Sequence, residues 1–298
     1  MAFYTGNFSS FASLKSSVET ALQANGWALS SGVLSKGDLF LKLVADTVEL
    51  TAEAGTGASA GDIIGAAPLV KLLDPTDSPI NFPATYDLHI NSSPDEVVLV
   101  IGYNADKYQQ LSWGESRVEQ VGGTGMWVTG SFSAAEYGNS LVYWQGGYSD
   151  IGGSFGGQGC GLFAQSWNSS PCSFVHTGLD SAGWRGVYSN DGDLVGSCDV
   201  VAALLQSLPS QFNQNTVLLP LYATQRRLDG GLTIVVDART IRLCRIDNHL
   251  AGEIVTYGGE DWKVYPFHRK NADVRNGVPW STGAHHTGTF GYAVLYTG

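Results

Sequence analysis

Apolar positions follow one pattern near the start of the chain and another after it. Phe11, Leu14, Val18, Ala21 and Leu22 recur at spacings of three and four, which marks one face of a helix. Ser9 or Ser10 can cap its first turn, and Gly26 stands where a left-handed residue ends a helix. Trp27 follows directly. Leu39–Val44 alternates poorly and reads as a buried strand, with Val48–Ala54 as its hairpin partner. Residues 1–54 therefore predict a helix packed on a small sheet. Residues 55–83 are rich in Gly, Ala, Asp and Pro, and Pro68, Pro75, Pro79 and Pro83 punctuate them. Proline interrupts both ladders and helices, so this stretch predicts a connecting segment.

Beyond it the period changes to two. Ala84–Asn91 alternates, Ser93-Pro94-Asp95 is a turn, and Glu96–Tyr103 and Tyr108–Trp113 continue as strands. Residues 122–197 combine glycine and aromatics with weak periodicity, which predicts irregular hairpins and loops. Asp199–Leu208 predicts a short helix, capped by Asp199 and stopped by Pro209. Strands return at Leu232–Asp237 and Thr240–Arg245. Glu253–Tyr257 and Trp262–Tyr265 predict a hairpin turning on Gly258-Gly259, and Thr289–Tyr296 closes the chain. No internal repeat is visible. The fold class this implies is α+β, mainly β. A helix–sheet module precedes a larger antiparallel β-sandwich-like domain over 84–298, with an irregular insertion around 122–230.

Composition sharpens this picture. Hydrophobic residues make up 43%, with 8 Trp, 13 Tyr and 12 Phe, which is ample for a core. Charged residues are only 14%, against roughly 25% in ordinary soluble domains. Few charges and many aromatics suit a surface covered by neighbouring subunits, and they predict self-association. Net charge is −11, and residues 1–184 account for it with 6 Lys+Arg against 17 Asp+Glu. An acidic face argues against sequence-specific nucleic-acid binding, although it could line a channel that repels DNA. Arg226-Arg227 and Arg239, Arg242 and Arg245 read as a solvated strand face or as intersubunit ion pairs. The first 25 residues lack the basic start and apolar run of a signal peptide, and no stretch is apolar enough to insert into a membrane. Without secretion, Cys160, Cys172, Cys198 and Cys244 read as reduced thiols, and the sequons at Asn7, Asn91 and Asn168 as chance matches.

Motifs with catalytic associations lack their structural context. Gly152-Gly153-Ser154-Phe155-Gly156 matches G-x-S-x-G, but the glycines that follow are poor helix material, so no nucleophile elbow is expected. His285-His286, even with His268, and the pair Cys244 and His249 lack metal-ligand spacing. Asn190-Asp191-Gly192-Asp193 begins like a calcium loop but has no carboxylate at the twelfth position. The expectation is no enzyme, no catalytic residues, no metal and no cofactor. One functional hint survives. Trp127, Tyr143, Trp144, Tyr148, Phe155, Phe163 and Trp167 crowd a glycine-rich region, and aromatic rings on loops can anchor a partner or stack on a sugar.

Phe3-Tyr4-Thr5-Gly6 followed by Phe11 to Trp27 resembles the opening of a family of tailed-phage virion structural proteins. Phe82 to Ile90 with Asn91 to Val98, and Gly258 to Pro266 with His286 to Ala293, extend that resemblance to about half the chain. It implies a virion component of the tail, at the tail tip, baseplate or tail-to-head region, assembled in the host cytoplasm. Its partners would be copies of itself in a symmetric ring or layer and other virion proteins. The alternatives are a module that binds a host-surface glycan and a capsid or neck decoration protein.

Overall fold

A computed structural model of the chain describes residues 1–75, 79–116, 118, 123–133, 162–163, 171–178, 183–188, 194–196, 217–227, 229–246, 248–267, 270 and 290–298. The first elements are β1 (Ala2–Phe8), α1 (Phe11–Ala24), β2 (Ala28–Ser30), β3 (Val33–Lys36), β4 (Leu39–Ala45), β5 (Glu49–Gly55), β6 (Gly57–Ser59), β7 (Asp62–Ile64) and β8 (Val70–Leu73). Next come β9 (Ala84–Ser92), β10 (Asp95–Tyr103), β11 (Lys107–Glu115), β12 (Met126–Gly130), β13 (Phe132–Ser133), β14 (Ser173–Thr177), β15 (Gly183–Tyr188) and β16 (Leu194–Gly196). The last are β17 (Leu219–Arg226), β18 (Leu232–Arg245), β19 (Ile254–Tyr257), β20 (Glu260–Pro266) and β21 (Phe290–Tyr296).

The fold is mainly β, with the helix and a small sheet at the N-terminal end. A 13-stranded sheet runs β1-β9-β10-β11-β12-β14-β15-β16-β17-β18-β21-β20-β19, and a 6-stranded sheet runs β13-β8-β5-β4-β3-β2. All described strand pairs are antiparallel except β15 with β16.

Helix α1 forms as its pattern predicts. Ser10 caps it, accepting from the Ser13 amide, while the Ser13 hydroxyl accepts from the Ser10 amide. Its end is a Schellman turn: Gly26 has φ +85°, the Gly26 amide donates to Gln23 and the Trp27 amide to Leu22. The buried face of α1 and the inward residues of β4 and β5 form one apolar cluster with Leu88, Ile90, Val97, Leu99, Ile101, Leu111 and Trp113 of the large sheet. Val98 and Val100 of β10 face a second cluster, built from Val175, Val187, Leu221, Val236, Leu243 and Tyr292 among others. A strand covered on both faces must be apolar at every position, which explains the unbroken run Val97–Ile101.

The structure departs from the sequence reading at four places. Leu39–Val44 does alternate: Leu39, Leu41 and Leu43 are buried, whereas Phe40 and Lys42 are half-buried and Val44 is exposed. Segment 55–83 is more than a connection, since it carries the hairpin β6–β7 and supplies β8 to the small sheet. The suggested boundary at residue 54 is crossed by pairing, because β1 joins β9 and β5 joins β8. The two expected strands at 232–245 are one, β18, whose pairing with β17 slips so that Leu221 faces Ala238 while Pro220 faces Arg242. Pro220 has no amide to offer a ladder, which suits it to that irregularity. The hairpin β19–β20 forms as expected, with Gly258 and Gly259 at φ +63° and +84°. The predicted helix Asp199–Leu208 lies outside the described residues.

Candidate functional site

Of the seven aromatics singled out, Tyr143, Trp144, Tyr148, Phe155 and Trp167 lie outside the described residues. The other two are core residues and are not on the surface. Trp127 and Phe163 are both fully buried, with ring centres 5.6 Å apart in an edge-on contact. Leu162 and Phe163 both adopt φ +55°, costly for non-glycine residues, and hydroxyls of the sheet hold the turn in place. Thr129 accepts from the Leu162 amide at 2.6 Å, Ser173 from the Phe163 amide at 2.9 Å, and the two hydroxyls lie 2.8 Å apart. Gly196 passes so close that a side-chain carbon there would lie 1.5 Å from the Phe163 carbonyl oxygen. The sequence signal was a polar residue, Thr129, two places from Trp127 and so on the same buried strand face.

A second constellation, unmarked in the sequence reading, joins the two ends of the large sheet. Asp87 and His89 project from β9 toward Lys263 and Tyr265 of β20. Tyr265 donates its hydroxyl hydrogen to Asp87 at 2.7 Å, and its oxygen lies 2.8 Å from the His89 Nε2, within hydrogen-bond distance. The Lys263 ammonium lies 2.7 Å from the same Asp87 oxygen. It also sits 4.5 Å from the ring centre of Phe3 and 5.9 Å from those of Tyr265 and Tyr296. Burial pushes the His89 imidazole down to about 4, with Lys263 adding to the effect and Asp87 opposing it. Burial also raises the Tyr265 phenol well above its ordinary value. The pattern was present as two i, i+2 pairs of polar residues on strands whose other face is apolar, but the partners are 176 residues apart.

Glu96 of β10 is the third polar feature. Its carboxyl accepts from the Arg239 amide at 2.8 Å, the Thr240 amide at 2.7 Å and the Thr240 hydroxyl, where β18 slips against β17. Burial pushes it up to about 7, while these donors pull the other way. Gly114 lies opposite Glu96, where a side-chain carbon would come 2.8 Å from the Glu96 Cγ.

The remaining motifs contribute little. The G-x-S-x-G segment, His268, His285, His286, Asn190–Asp193, Cys160 and Cys198 lie outside the described residues. Cys244 is buried beside Ile246 and Trp262, and burial pushes its thiol up, whereas His249 contacts Glu253. Among the described residues no three His, Cys, Asp or Glu gather as metal ligands, and no helix is long and apolar enough to cross a membrane. No known protein family and no curated protein matches the chain.

Proposed function

We propose that the chain is a structural subunit of a tailed-phage virion, placed in the tail, that acts by self-assembly and by contacts with other virion proteins. One observation carries the reading. The three segments that resemble the phage family meet in space: Phe3 from the first, Asp87 and His89 from the second, and Lys263 and Tyr265 from the third form one cluster. What these segments share is thus a joint of the scaffold, as a structural family would require. The edge position of β19 in the large sheet is consistent with assembly, because among the described residues no strand pairs with its outer side, and Ile254 and Tyr257 are 46% and 49% exposed. The glycan-binding alternative loses two of its seven aromatics, Trp127 and Phe163, to the core. A density map of the purified particle tests the proposal. The fold should fit a repeated tail layer, and a map with no density for it in any layer would overturn the reading.

A further inference from the structure

We propose that the Asp87–Lys263–Tyr265–His89 cluster is an acid-sensitive clasp, in which protonation of the buried imidazole releases β20 and β21 from β1 and β9. His89 is walled by Phe3 of β1, whose ring centre lies 4.9 Å away, and by Tyr296 of β21 at 6.4 Å. From β9 it faces Asp87, from β20 Lys263 and Tyr265, and from β21 the Leu295 backbone. Its partner across the ladder on β10 is the apolar Val98. Among the described residues the cluster therefore holds one carboxylate, and the Lys263 ammonium already occupies it at 2.7 Å.

A second positive charge on His89 would have to be balanced by the same carboxylate, between two aromatic rings and away from water. Burying an unbalanced charge is among the costliest events in a fold. Burial is the main cause that moves the imidazole down to about 4, with Asp87 opposing it and Lys263 adding to it. No residue of α1, β4 or β5 takes part in this network, so those elements should keep their protection longest.

Hydrogen exchange on the full chain, corrected for the intrinsic effect of pH, tests the clasp. Between pH 7 and about 4, peptides from β1, β9, β20 and β21 should lose protection by about tenfold or more, before α1 and β4–β5 do. His89→Phe, which fills the space between Phe3 and Tyr296 without a titrating group, should move that opening down by about a pH unit or abolish it. His89→Gln, which retains an amide donor toward Tyr265, serves as the check if the Phe variant fails to fold. Protection unchanged down to about pH 4, simultaneous loss in the clasp and in α1, or an opening pH identical in wild type and a folded variant would each overturn the proposal.

Discussion

The two faces of β10 are held by different physics. On one face Val97, Leu99 and Ile101 meet α1 and the small sheet through apolar side chains. On the other, Val98 and Val100 meet a second apolar cluster, but its margins are fixed by Glu96 on the backbone of β18 and by Asp87 and His89 on β20. The first interface needs only residues of about the right size at the right period. The second needs particular atoms at particular places, far apart in sequence. Apolar packing here makes a core, and the polar contacts decide which strand lies over which.

The largest effect should come from the apolar side. Leu14 is fully buried, so Leu14→Ala should cost about 2–5 kcal/mol and lower the melting temperature of the isolated protein. An unchanged melting temperature would mean that the helix stripe does not stabilise the monomer. On the polar side, Glu96→Leu removes the acceptor of two amides and a hydroxyl. The two Thr240 donors are buried, and each left unpaired costs about 1–3 kcal/mol, so denaturant unfolding should show a loss of about 2–6 kcal/mol. A neutral result would make Glu96 incidental to the placement of β18.

Within the second interface, the two polar contacts made by Glu96 and His89 should respond to pH in opposite directions. Glu96 binds its proton more tightly folded than unfolded. Its contribution is therefore full below about 4.5 and declines as pH rises to about 7. His89 binds its proton less tightly folded than unfolded. Its contribution is full above about 6.5 and declines as pH falls to about 4. In wild type the two slopes oppose each other across the shared interval. Glu96→Gln should leave stability rising with pH there, and His89→Gln should leave it falling. Urea unfolding at several pH values reads both slopes, and identical slopes in the two variants would contradict the assignment.

The smallest expected effect on stability is at the free edge. Ile254→Ser and Tyr257→Ser on β19 should change monomer stability by no more than about 0.5 kcal/mol while weakening self-association in sedimentation. Self-association undiminished in both variants would remove β19 from the assembly surface.

The same division explains what could be read from the chain. The spacing of Phe11, Leu14, Val18 and Leu22 carries α1 with both of its caps, because helix period and capping are local. Gly258-Gly259 carries the β19–β20 hairpin for the same reason. In segment 55–83 prolines mask short strands, and β8 is recognisable only through its pairing with β5 and β13. The clasp and the Glu96 contact were illegible because nothing local links His89 to Tyr265, or Glu96 to Thr240 across 144 residues. Trp127 and Phe163 misled in the opposite sense. Glycine-rich surroundings suggest exposure, yet Trp127 lies on β12 and the hydroxyls of Thr129 and Ser173 hold Leu162 and Phe163 against the core.

The assembly role is tested most directly by counting. Quantitative mass spectrometry of purified particles should find this chain at a fixed copy number, a whole multiple of the symmetry of one tail layer, retained through washing and gradient centrifugation. Its absence from particles, or a variable copy number that washing depletes, would contradict the account.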